Sequence, residues 1–302
     1  MSGTGVAVVG SFMMDLVVRA PRRPGPGETL VGSGFDVFLG GKGCNQAIAA
    51  ARAGAPTAMI GRLGADDFGT RFLDRLAAEG IDASGVAIDP DEGTGVGAPL
   101  VEDSGENSIV IVPRANHRMT RSDVDAAVTT IERAAVLLLQ LELPIEVVEA
   151  AAKVAQAAGT TVVLNPAPAP GDGIERFAGL VDVLVPNEIE VAALSGTAGD
   201  PLGAATSLRQ QLDAAVIVTV GEEGAWLVDA GPPERLAAHP VAAVDTVGAG
   251  DAFCGALGAR LAAGASLRDA TVYANAAAAL SVTKRGAEPS MPTATQIEAL
   301  LG

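Results

Sequence analysis

The chain has 302 residues, and 20 Lys and Arg against 36 Asp and Glu give it a formal net charge of -16. Its length allows one large α/β domain or two smaller ones, and a hydrophobic fraction of 49% is typical of a folded globule. The acidic balance argues against nucleic-acid binding, which relies on Lys and Arg to neutralise phosphates. Two cysteines (Cys44 and Cys254) and two histidines (His117 and His239) favour neither a disulfide framework nor a His-rich zinc site.

Short apolar runs alternate with amphipathic stretches along the whole chain. Runs of Val, Leu and Ile are typical of parallel strands that are covered on both faces, so the alternation predicts an α/β fold with a doubly wound, mostly parallel sheet flanked by helices. The N-terminal stretch is too briefly apolar for a signal peptide or a spanning helix, and we expect a cytoplasmic protein without a membrane partner. The predicted strands are 6–10, 135–141, 161–165, 181–186 and 215–220, and the predicted helices are 45–53, 68–79, 124–133 capped by Ser122, 145–158, 249–263 and 267–282.

Two segments interrupt this alternation. Residues 16–39 are rich in Pro and Gly, and residues 93–116 contain two alternating runs separated by a DSGEN turn. These patterns predict a small antiparallel β-lid over a ligand cleft, as a subdomain of one domain that spans residues 1–302. The alternative is that the same segments are edge strands of the main sheet.

Two glycine-bearing turns precede predicted helices. In the first glycine turn (GGKGCNQ, residues 40–46), the glycines let the backbone approach a ligand and the helix N-terminus presents free amides. It is not a Walker A loop, because Gly43 follows Lys42 where Ser or Thr is needed, and the chain also lacks G-x-G-x-x-G. Alone, this turn indicates no more than a tight turn before a helix.

The second glycine turn (DTVGAGDAF, residues 245–253) carries an acidic residue. Small residues at 248–250 leave N–H groups unobstructed, and such groups can stabilise charge on a phosphoryl group during transfer. Asp251, in the first helical turn, can accept the proton of an attacking hydroxyl. The helix dipole alone is an equally good reason for an acidic residue there.

Two further polar segments follow predicted strands, PNEIE at 186–190 and VTVGEEG at 218–224. The carboxyl ends of strands are where open α/β sheets bind ligands. Asn187 and Glu190 can share one helical face and organise hydrated Mg²⁺, or they can simply cap the helix.

In combination, these motifs resemble the ribokinase family of carbohydrate kinases nearly from end to end. GGKGCNQA and DTVGAGDAFCGA resemble the two family signatures, and QLELP (140–144), LNPAPA (164–169), PNEIE (186–190) and SVTKRGAEPS (281–290) follow in the family's order. The resemblance implies a ribokinase-like fold and ATP-dependent phosphorylation of a sugar hydroxymethyl group, with sugar, ATP and Mg²⁺ as ligands and no nucleic acid. It also implies a homodimer in which lid strands of two subunits meet.

The resemblance assigns roles to individual positions. The implied catalytic group is the base Asp251 with an anion hole at Gly248, Ala249 and Gly250. The implied sugar ligands are Met13, Asp15, Gly41, Lys42, Asn45, Glu142 and Asp251. The implied nucleotide contacts are Asn187, Thr219, Gly221, Glu222, Glu223, Gly224, Gly250 and Asn275, with Asn187 and Glu190 linked to Mg²⁺. An activating K⁺ is implied beside the anion hole, at Asp245, Val247, Ser281, Lys284, Gly286 and Ser290.

One position departs from the family pattern. Ribokinases usually carry Asn in the G-S-x-N-x-D element, where this chain has Met13. A thioether is a very weak hydrogen-bonding group, and a buried hydroxyl that loses its partner costs about 1–3 kcal/mol. Met13 therefore favours 2-deoxy-D-ribose over D-ribose, unless water or another side chain holds the hydroxyl. Kinases for fructose, ketodeoxygluconate or a nucleoside, and a non-catalytic sugar-binding sensor, are the alternatives.

Overall fold

The computed structural model describes residues 3–196 and 199–302. The strands are β1 (Val6–Val9), β2 (Met13–Ala20), β3 (Gly34–Gly40), β4 (Thr57–Gly64), β5 (Asp82–Asp89), β6 (Gly95–Glu102), β7 (Asn107–Val112), β8 (Val136–Leu139), β9 (Thr161–Leu164), β10 (Val183–Leu184), β11 (Ala215–Thr219), β12 (Ala225–Val228) and β13 (Glu234–Leu236). Within the described ranges a nine-stranded sheet has the order β13-β12-β11-β10-β9-β8-β1-β4-β5 and is parallel except where β12 pairs with β11 and with β13.

Helices cover both faces of the large sheet, which confirms the doubly wound fold. The helices are α1 (Lys42–Arg52), α2 (Asp67–Ala78), α3 (Arg121–Ala126), α4 (Val128–Arg133), α5 (Ile145–Ala158), α6 (Glu188–Ser195), α7 (Pro201–Leu212), α8 (Ala249–Ala262), α9 (Leu267–Ser281), α10 (Ala287–Ser290) and α11 (Ala294–Leu301). Alternate residues of β1 point to opposite sides: Val6 and Val8 pack into one buried cluster with α1, α2, α8 and α9, and Ala7 and Val9 into another with α5 and α7. None of the helices in the described ranges is long and apolar enough to cross a membrane.

A second, four-stranded sheet has the order β3-β2-β6-β7. It consists of two antiparallel hairpins, β2–β3 and β6–β7, joined by parallel pairing of β2 with β6. Its strands lie at the two segments predicted as a lid, although β2 begins at Met13 rather than at residue 16. Since none of these strands pairs with the nine-stranded sheet in the described residues, the alternative of edge strands is wrong.

The chain changes direction across the sheet next to β1. From β1 it runs through the lid and α1 to β4 on one side, and it later returns to β8 on the other side. The carboxyl ends of β1 and β8 therefore border a crevice at the switch point of a doubly wound sheet, where ligands of such folds bind.

The predicted elements differ from the observed ones in three respects, the first being that helices α7, α10 and α11 were not predicted. The helix predicted over 124–133 is two helices, α3 and α4, and Thr120 rather than Ser122 precedes it, because the Asp123 carboxylate accepts the Thr120 N–H at 2.7 Å. Strands β4, β5, β12 and β13 were not predicted. In β4 the apolar run is interrupted by Arg62, whose guanidinium is paired with Asp89 and Asp123 at 3.0 and 2.7 Å.

Candidate active site

The two glycine turns, about 200 residues apart in the sequence, meet at one cavity of about 210 Å³ beyond the carboxyl ends of the parallel strands. Lys42 from the first turn and Asp251 from the second both line it. The full lining consists of Lys42, Asn165, Val185, Asn187, Glu190, Thr219, Thr246, Gly248, Ala249, Gly250, Asp251 and Cys254.

Helix α1 starts at the first glycine turn because Gly41 can adopt a positive φ of 88°. A Cβ on Gly41 would come within 2.6 Å of the Met13 backbone nitrogen, so only glycine fits against the root of the lid. The Glu142 carboxylate accepts the Lys42 N–H at 2.9 Å and also the Ser11 hydroxyl. Glu142 thereby fixes the start of α1 beside the end of β1.

Asp251 lies in the first turn of α8 and is 6% exposed. Its two carboxylate oxygens accept different donors: Asn45 Nδ2 donates to Oδ2 at 2.9 Å, and Gln46 Nε2 donates to Oδ1 at 3.1 Å. Both donors belong to α1, so the carboxylate of the second turn is held by the helix of the first. A carboxylate with two donors retains further lone pairs and can still accept a hydroxyl proton.

Acidic groups and one lysine dominate the electrostatics between the turns. Burial, followed by the negative charges of Glu142 and Asp251, raises the pKa of Asp15 to about 7. Burial lowers the pKa of Lys42, but the carboxylates of Asp251, Glu142 and Glu190 outweigh it, so the net direction is upward and the ammonium is retained. The site therefore holds one cation among several carboxylates, so that an anionic group could bind at the lysine and hydroxyl groups at the carboxylates.

Asp15 and Met13 lie on the first lid strand, where it leaves the large sheet. A Cβ on Gly97 would come within 2.5 Å of Asp15 Oδ1, so the neighbouring strand leaves space for this carboxylate only by carrying glycine. Met13 is 3% exposed, and its sulfur lies 3.8 Å from Asn116 Nδ2. The Asn116 amide is already bonded to the N–H and C=O of Phe12, at 2.9 and 2.8 Å.

The second glycine turn leads directly into α8 beside the cavity. Gly248 precedes α8 with a φ of 82°, and Gly250 faces open space, where a Cβ would meet nothing within 4 Å. The Ala249 N–H donates to the Thr246 carbonyl at 3.3 Å. The amides of Gly250 and Asp251 then lie in the first turn of α8, where N–H groups have no intrahelical acceptor and could bind an anion.

Asn187 and Glu190 also line the cavity, and together they form a capping box for α6. Asn187 Oδ1 accepts the Glu190 N–H at 2.8 Å, and the Glu190 carboxylate accepts the Asn187 N–H at 2.9 Å. Burial raises the pKa of Glu190, although the Asn187 N–H and Lys42 oppose this shift. The capping interpretation is confirmed, and the Mg²⁺ interpretation stays a prediction, because a carboxylate that caps a helix has capacity for a further ligand.

The other predicted nucleotide positions are spread more widely. Thr219 lines the cavity, and Gly221, Glu222, Glu223 and Gly224 form the turn that follows β11, where Glu223 pairs with Arg235 at 2.9 Å. Asn275 lies outside the cavity lining: it is buried in α9 and donates to the Leu236 carbonyl at 3.0 Å. The structure brings Asn187, Glu190 and Thr219 together and leaves Asn275 outside the lining, bonded to the last residue of β13.

The predicted potassium positions belong to two neighbouring segments. The Asp245 carboxylate accepts the Val247 N–H at 3.0 Å and the Gly286 N–H at 2.9 Å, which ties the second glycine turn to the C-terminal segment. Ser281 and Ser290 are buried, and their hydroxyls donate to the carbonyls of Ala278 and Ala287. Lys284 is exposed.

Several residues around the cavity had no predicted role. Gln46, Gln140 and Asn165 stand inside the quoted motifs, but nothing in an amide side chain distinguishes a buried one from an exposed one before the fold is known. Thr246 and Cys254 line the cavity because α8 begins at Ala249, which places Thr246 just before the helix and Cys254 in its second turn. The one available signal was position, since Gln140 and Asn165 stand at the carboxyl ends of the predicted strands 135–141 and 161–165.

Comparison with known proteins identifies the family to which the chain belongs. Residues 4–294 match the pfkB family carbohydrate kinases. The chain is 38% identical to a ribokinase of Haemophilus influenzae over 292 residues, 95% of each chain, and 35% identical to a deoxyribokinase of Salmonella typhi over 300 residues, 98% of each chain. The structure of an Arabidopsis thaliana ribokinase complexed with ribose and ATP superposes with a TM-score of 0.90, at 31% identity and 99% coverage of each chain. The chain belongs to the pfkB family, and it is an ATP-dependent carbohydrate kinase of the ribokinase family.

Proposed function

We propose that this kinase transfers the γ-phosphoryl group of ATP to the 5-hydroxyl of a pentose, D-ribose or 2-deoxy-D-ribose. The observation that carries the proposal is the shared cavity, in which Asp251 is bonded to Asn45 and lies with Lys42 beside an open helix N-terminus. The relatives named ribokinase and deoxyribokinase support a pentose of one of these two kinds.

In this reaction the Asp251 carboxylate accepts the hydroxyl proton. The sugar oxygen then forms a bond to the γ-phosphorus, and the bond between that phosphorus and the bridging oxygen breaks to release ADP. The Gly250 and Asp251 amides and the Lys42 ammonium stabilise the negative charge on the phosphoryl oxygens. Closure of the lid excludes water, which would otherwise compete with the sugar.

The sugar ring lies between the first glycine turn and the lid. Asp15, Asn45 and Glu142 offer the paired carboxylate and amide groups that neighbouring hydroxyls need, and Gly41 leaves room for the ring. A ligand that lacks these hydroxyls leaves buried polar groups without partners, so it binds weakly.

ATP occupies the remainder of the cavity, with its phosphates at the second glycine turn and its base beyond Thr219, towards Gly221–Glu223. Asn187 and Glu190 supply the oxygen ligands that Mg²⁺ prefers, and the capping box leaves lone pairs on the Glu190 carboxylate. Bound Mg²⁺ neutralises phosphate charge.

Met13 supports 2-deoxy-D-ribose as the better substrate. The neighbouring Asn116 amide donates to the Phe12 and Pro113 carbonyls, so both of its N–H groups are used and cannot donate to a sugar hydroxyl. A ribose 2-hydroxyl packed against the Met13 thioether loses a hydrogen bond worth about 1–3 kcal/mol.

A potassium ion beside the second glycine turn is part of the proposal. The residues suit a hard cation because the Asp245 carboxylate and the buried Ser281 and Ser290 hydroxyls are oxygen donors, and Asp245 already joins the two segments. Bound K⁺ supplies a positive charge that steadies the loop. Turnover in K⁺ against Na⁺ tests this, and equal rates in the two salts reject it.

A homodimer formed through the lid is also proposed. Strand β7 lies at the edge of the lid sheet, and Ile109, Val110, Ile111 and Val112 are each 47–66% exposed. A flat apolar edge strand is a ready template for pairing with a second copy. A Val110→Lys variant is expected to elute as a monomer where the unmodified protein elutes as a dimer, and unchanged elution rejects this interface.

A coupled ADP-release assay with ribose, 2-deoxyribose, fructose, ketodeoxygluconate and nucleosides tests the function directly. We expect turnover with both pentoses and a higher kcat/KM for the deoxy sugar. Rapid turnover of a nucleoside or of fructose alone would assign the chain to another branch of the family. No ADP release with any sugar that the protein binds would favour a sensor.

A further inference from the structure

Beneath the cavity, three buried amide side chains form a connected chain that ends at Asp251. Gln140 Nε2 donates to Gln46 Oε1 at 2.6 Å. Gln46 Nε2 donates in turn to Asp251 Oδ1 at 3.1 Å and to Asn165 Oδ1 at 3.3 Å, and Asn165 Nδ2 donates to the Val185 carbonyl at 2.8 Å. We call Gln140, Gln46 and Asn165 the amide chain; their exposures are 1%, 0% and 8%.

The orientation of the Gln46 amide is the critical feature of this chain. The ionised Asp251 carboxylate is only an acceptor, so Gln46 must turn its NH₂ group towards it. That leaves Gln46 Oε1 facing Gln140, which must then present its own NH₂ group. With its NH₂ group presented to Gln46 Oε1, Gln140 stabilises the orientation in which the Gln46 NH₂ group faces Asp251, because a reversed Gln46 amide would place one NH₂ group against another. Gln140 does this without touching Asp251.

The backbone around the amide chain is packed too closely to allow an easy rearrangement. A Cβ on Gly255 of α8 would lie 2.6 Å from the Gln46 carbonyl oxygen, so α1 and α8 are in direct backbone contact at this level. Gln140 and Asn165 directly follow β8 and β9, so two adjacent strands of the central sheet support the chain. Gln140 Oε1 is buried without a hydrogen-bond partner among the described residues, an arrangement that costs stability. An apolar side chain at this position would avoid that cost.

We propose that Gln46 is a positioning residue for phosphoryl transfer and that Gln140 acts through it by setting the direction of its amide. Asn45 and Gln46, which hold one carboxylate oxygen each, fix the plane of the Asp251 carboxylate and so the direction of the lone pair that meets the sugar hydroxyl. This inference rests on the proposed function, in which Asp251 is the base.

The test is a double-mutant cycle in kcat, measured by ADP release at saturating sugar and ATP. Gln46→Met keeps the volume and removes the donor, and we expect kcat to fall about 10–100-fold, since a small misplacement of a reacting group has effects of this size. Gln140→Glu presents only acceptors to Gln46, which turns the Gln46 amide over and places its oxygen against Asp251; we expect a similar fall in kcat.

The double variant Gln46→Met/Gln140→Glu distinguishes an effect through the Gln46 amide from a direct effect of the negative charge that Gln140→Glu introduces. If Gln140→Glu acts through the Gln46 amide, it has no further effect in the Gln46→Met background, and the double variant matches Gln46→Met within about threefold. If it acts by its charge, the two losses multiply, and the proposal is overturned. Sugar affinity measured by calorimetry without ATP is expected to change far less than kcat in each variant.

The control is Thr160→Val, which removes a buried hydrogen bond to the Ala134 carbonyl (3.1 Å) away from the cavity. It should lower the thermal midpoint and leave kcat unchanged. If Gln140→Glu does not fold, Gln140→Met replaces it, with an expected several-fold loss of kcat. If Gln46→Met and the Gln140 variant both keep the kcat of the unmodified protein, this inference is overturned and the proposed function stands. If the unmodified protein phosphorylates no sugar, the proposed function is overturned.

Discussion

Asp15 is expected to make sugar turnover depend on pH near neutrality. Burial, and then the charges of Glu142 and Asp251, raise its pKa from 3.8 to about 7. An ionised carboxylate accepts hydrogen bonds from two sugar hydroxyls, whereas the neutral acid carries a proton that displaces one of them. We therefore expect kcat/KM for the sugar to fall about tenfold for each pH unit below about 7.

The same shift sets the direction of the effect on stability. The folded state holds this proton more tightly than the unfolded state, so the contribution of Asp15 to the free energy of unfolding is fully present below pH 3.8 and is lost as the pH rises through about 7. The loss is on the order of 4 kcal/mol, from 1.36 kcal/mol per pKa unit. An Asp15→Asn variant lacks this buried charge, and at pH 8 its ligand-free thermal midpoint is expected to rise by several degrees while its sugar turnover falls.

Two measurements check this prediction. The pH profile of kcat/KM, taken between about pH 5.5 and 8.5, should show one acid limb in the unmodified protein and lose it in Asp15→Asn. Asp36→Asn on the exposed side of β3 is the matched control and should keep both the limb and the midpoint. A flat profile in the unmodified protein, or an identical limb in Asp15→Asn, would refute the reasoning.

Three further predictions concern the same cavity. Asp251→Asn should lower kcat by about 10²–10⁴-fold with little change in sugar affinity by calorimetry, and full turnover would remove the assigned base. Gly250→Ala should keep its thermal midpoint but lower kcat/KM for ATP about tenfold, because the added Cβ enters the open space of the cavity. Gly248→Ala should instead lower the free energy of unfolding by about 1–2 kcal/mol, because an alanine is strained at the positive φ of this position. Met13→Asn should raise the ribose-to-deoxyribose ratio of kcat/KM about 5–150-fold, and an unchanged ratio would show that Met13 does not select the sugar.

The sequence indicated the sheet and most of its helices because their apolar patterns are long and regular. Helices over 145–158, 249–262 and 267–281 begin and end within a residue of the predicted bounds. Strand β4 escaped prediction because Arg62 breaks its apolar run, and only the fold shows that two carboxylates from other elements neutralise that arginine. Such compensation between distant segments has no local signature.

The site was predictable as a set of motifs but not as a geometry. The glycines and Asp251 stand out in the sequence because turns and first helical positions favour them. The contact between Asp251 and Gln46 depends instead on how closely α1 and α8 approach, which the small residues Ala49 and Gly255 determine. The predicted strand ends included Gln140 and Asn165, which in fact leave the sheet and turn into the site.

The most direct test of the account is a crystal structure of the protein with a pentose and a non-hydrolysable ATP analogue. We expect the sugar 5-oxygen within about 3.2 Å of the Asp251 carboxylate and about 3–3.5 Å from the terminal phosphorus, which lies at the Gly250 amide. A terminal phosphate bound away from the second glycine turn, or a sugar that presents no hydroxyl to Asp251, would contradict it.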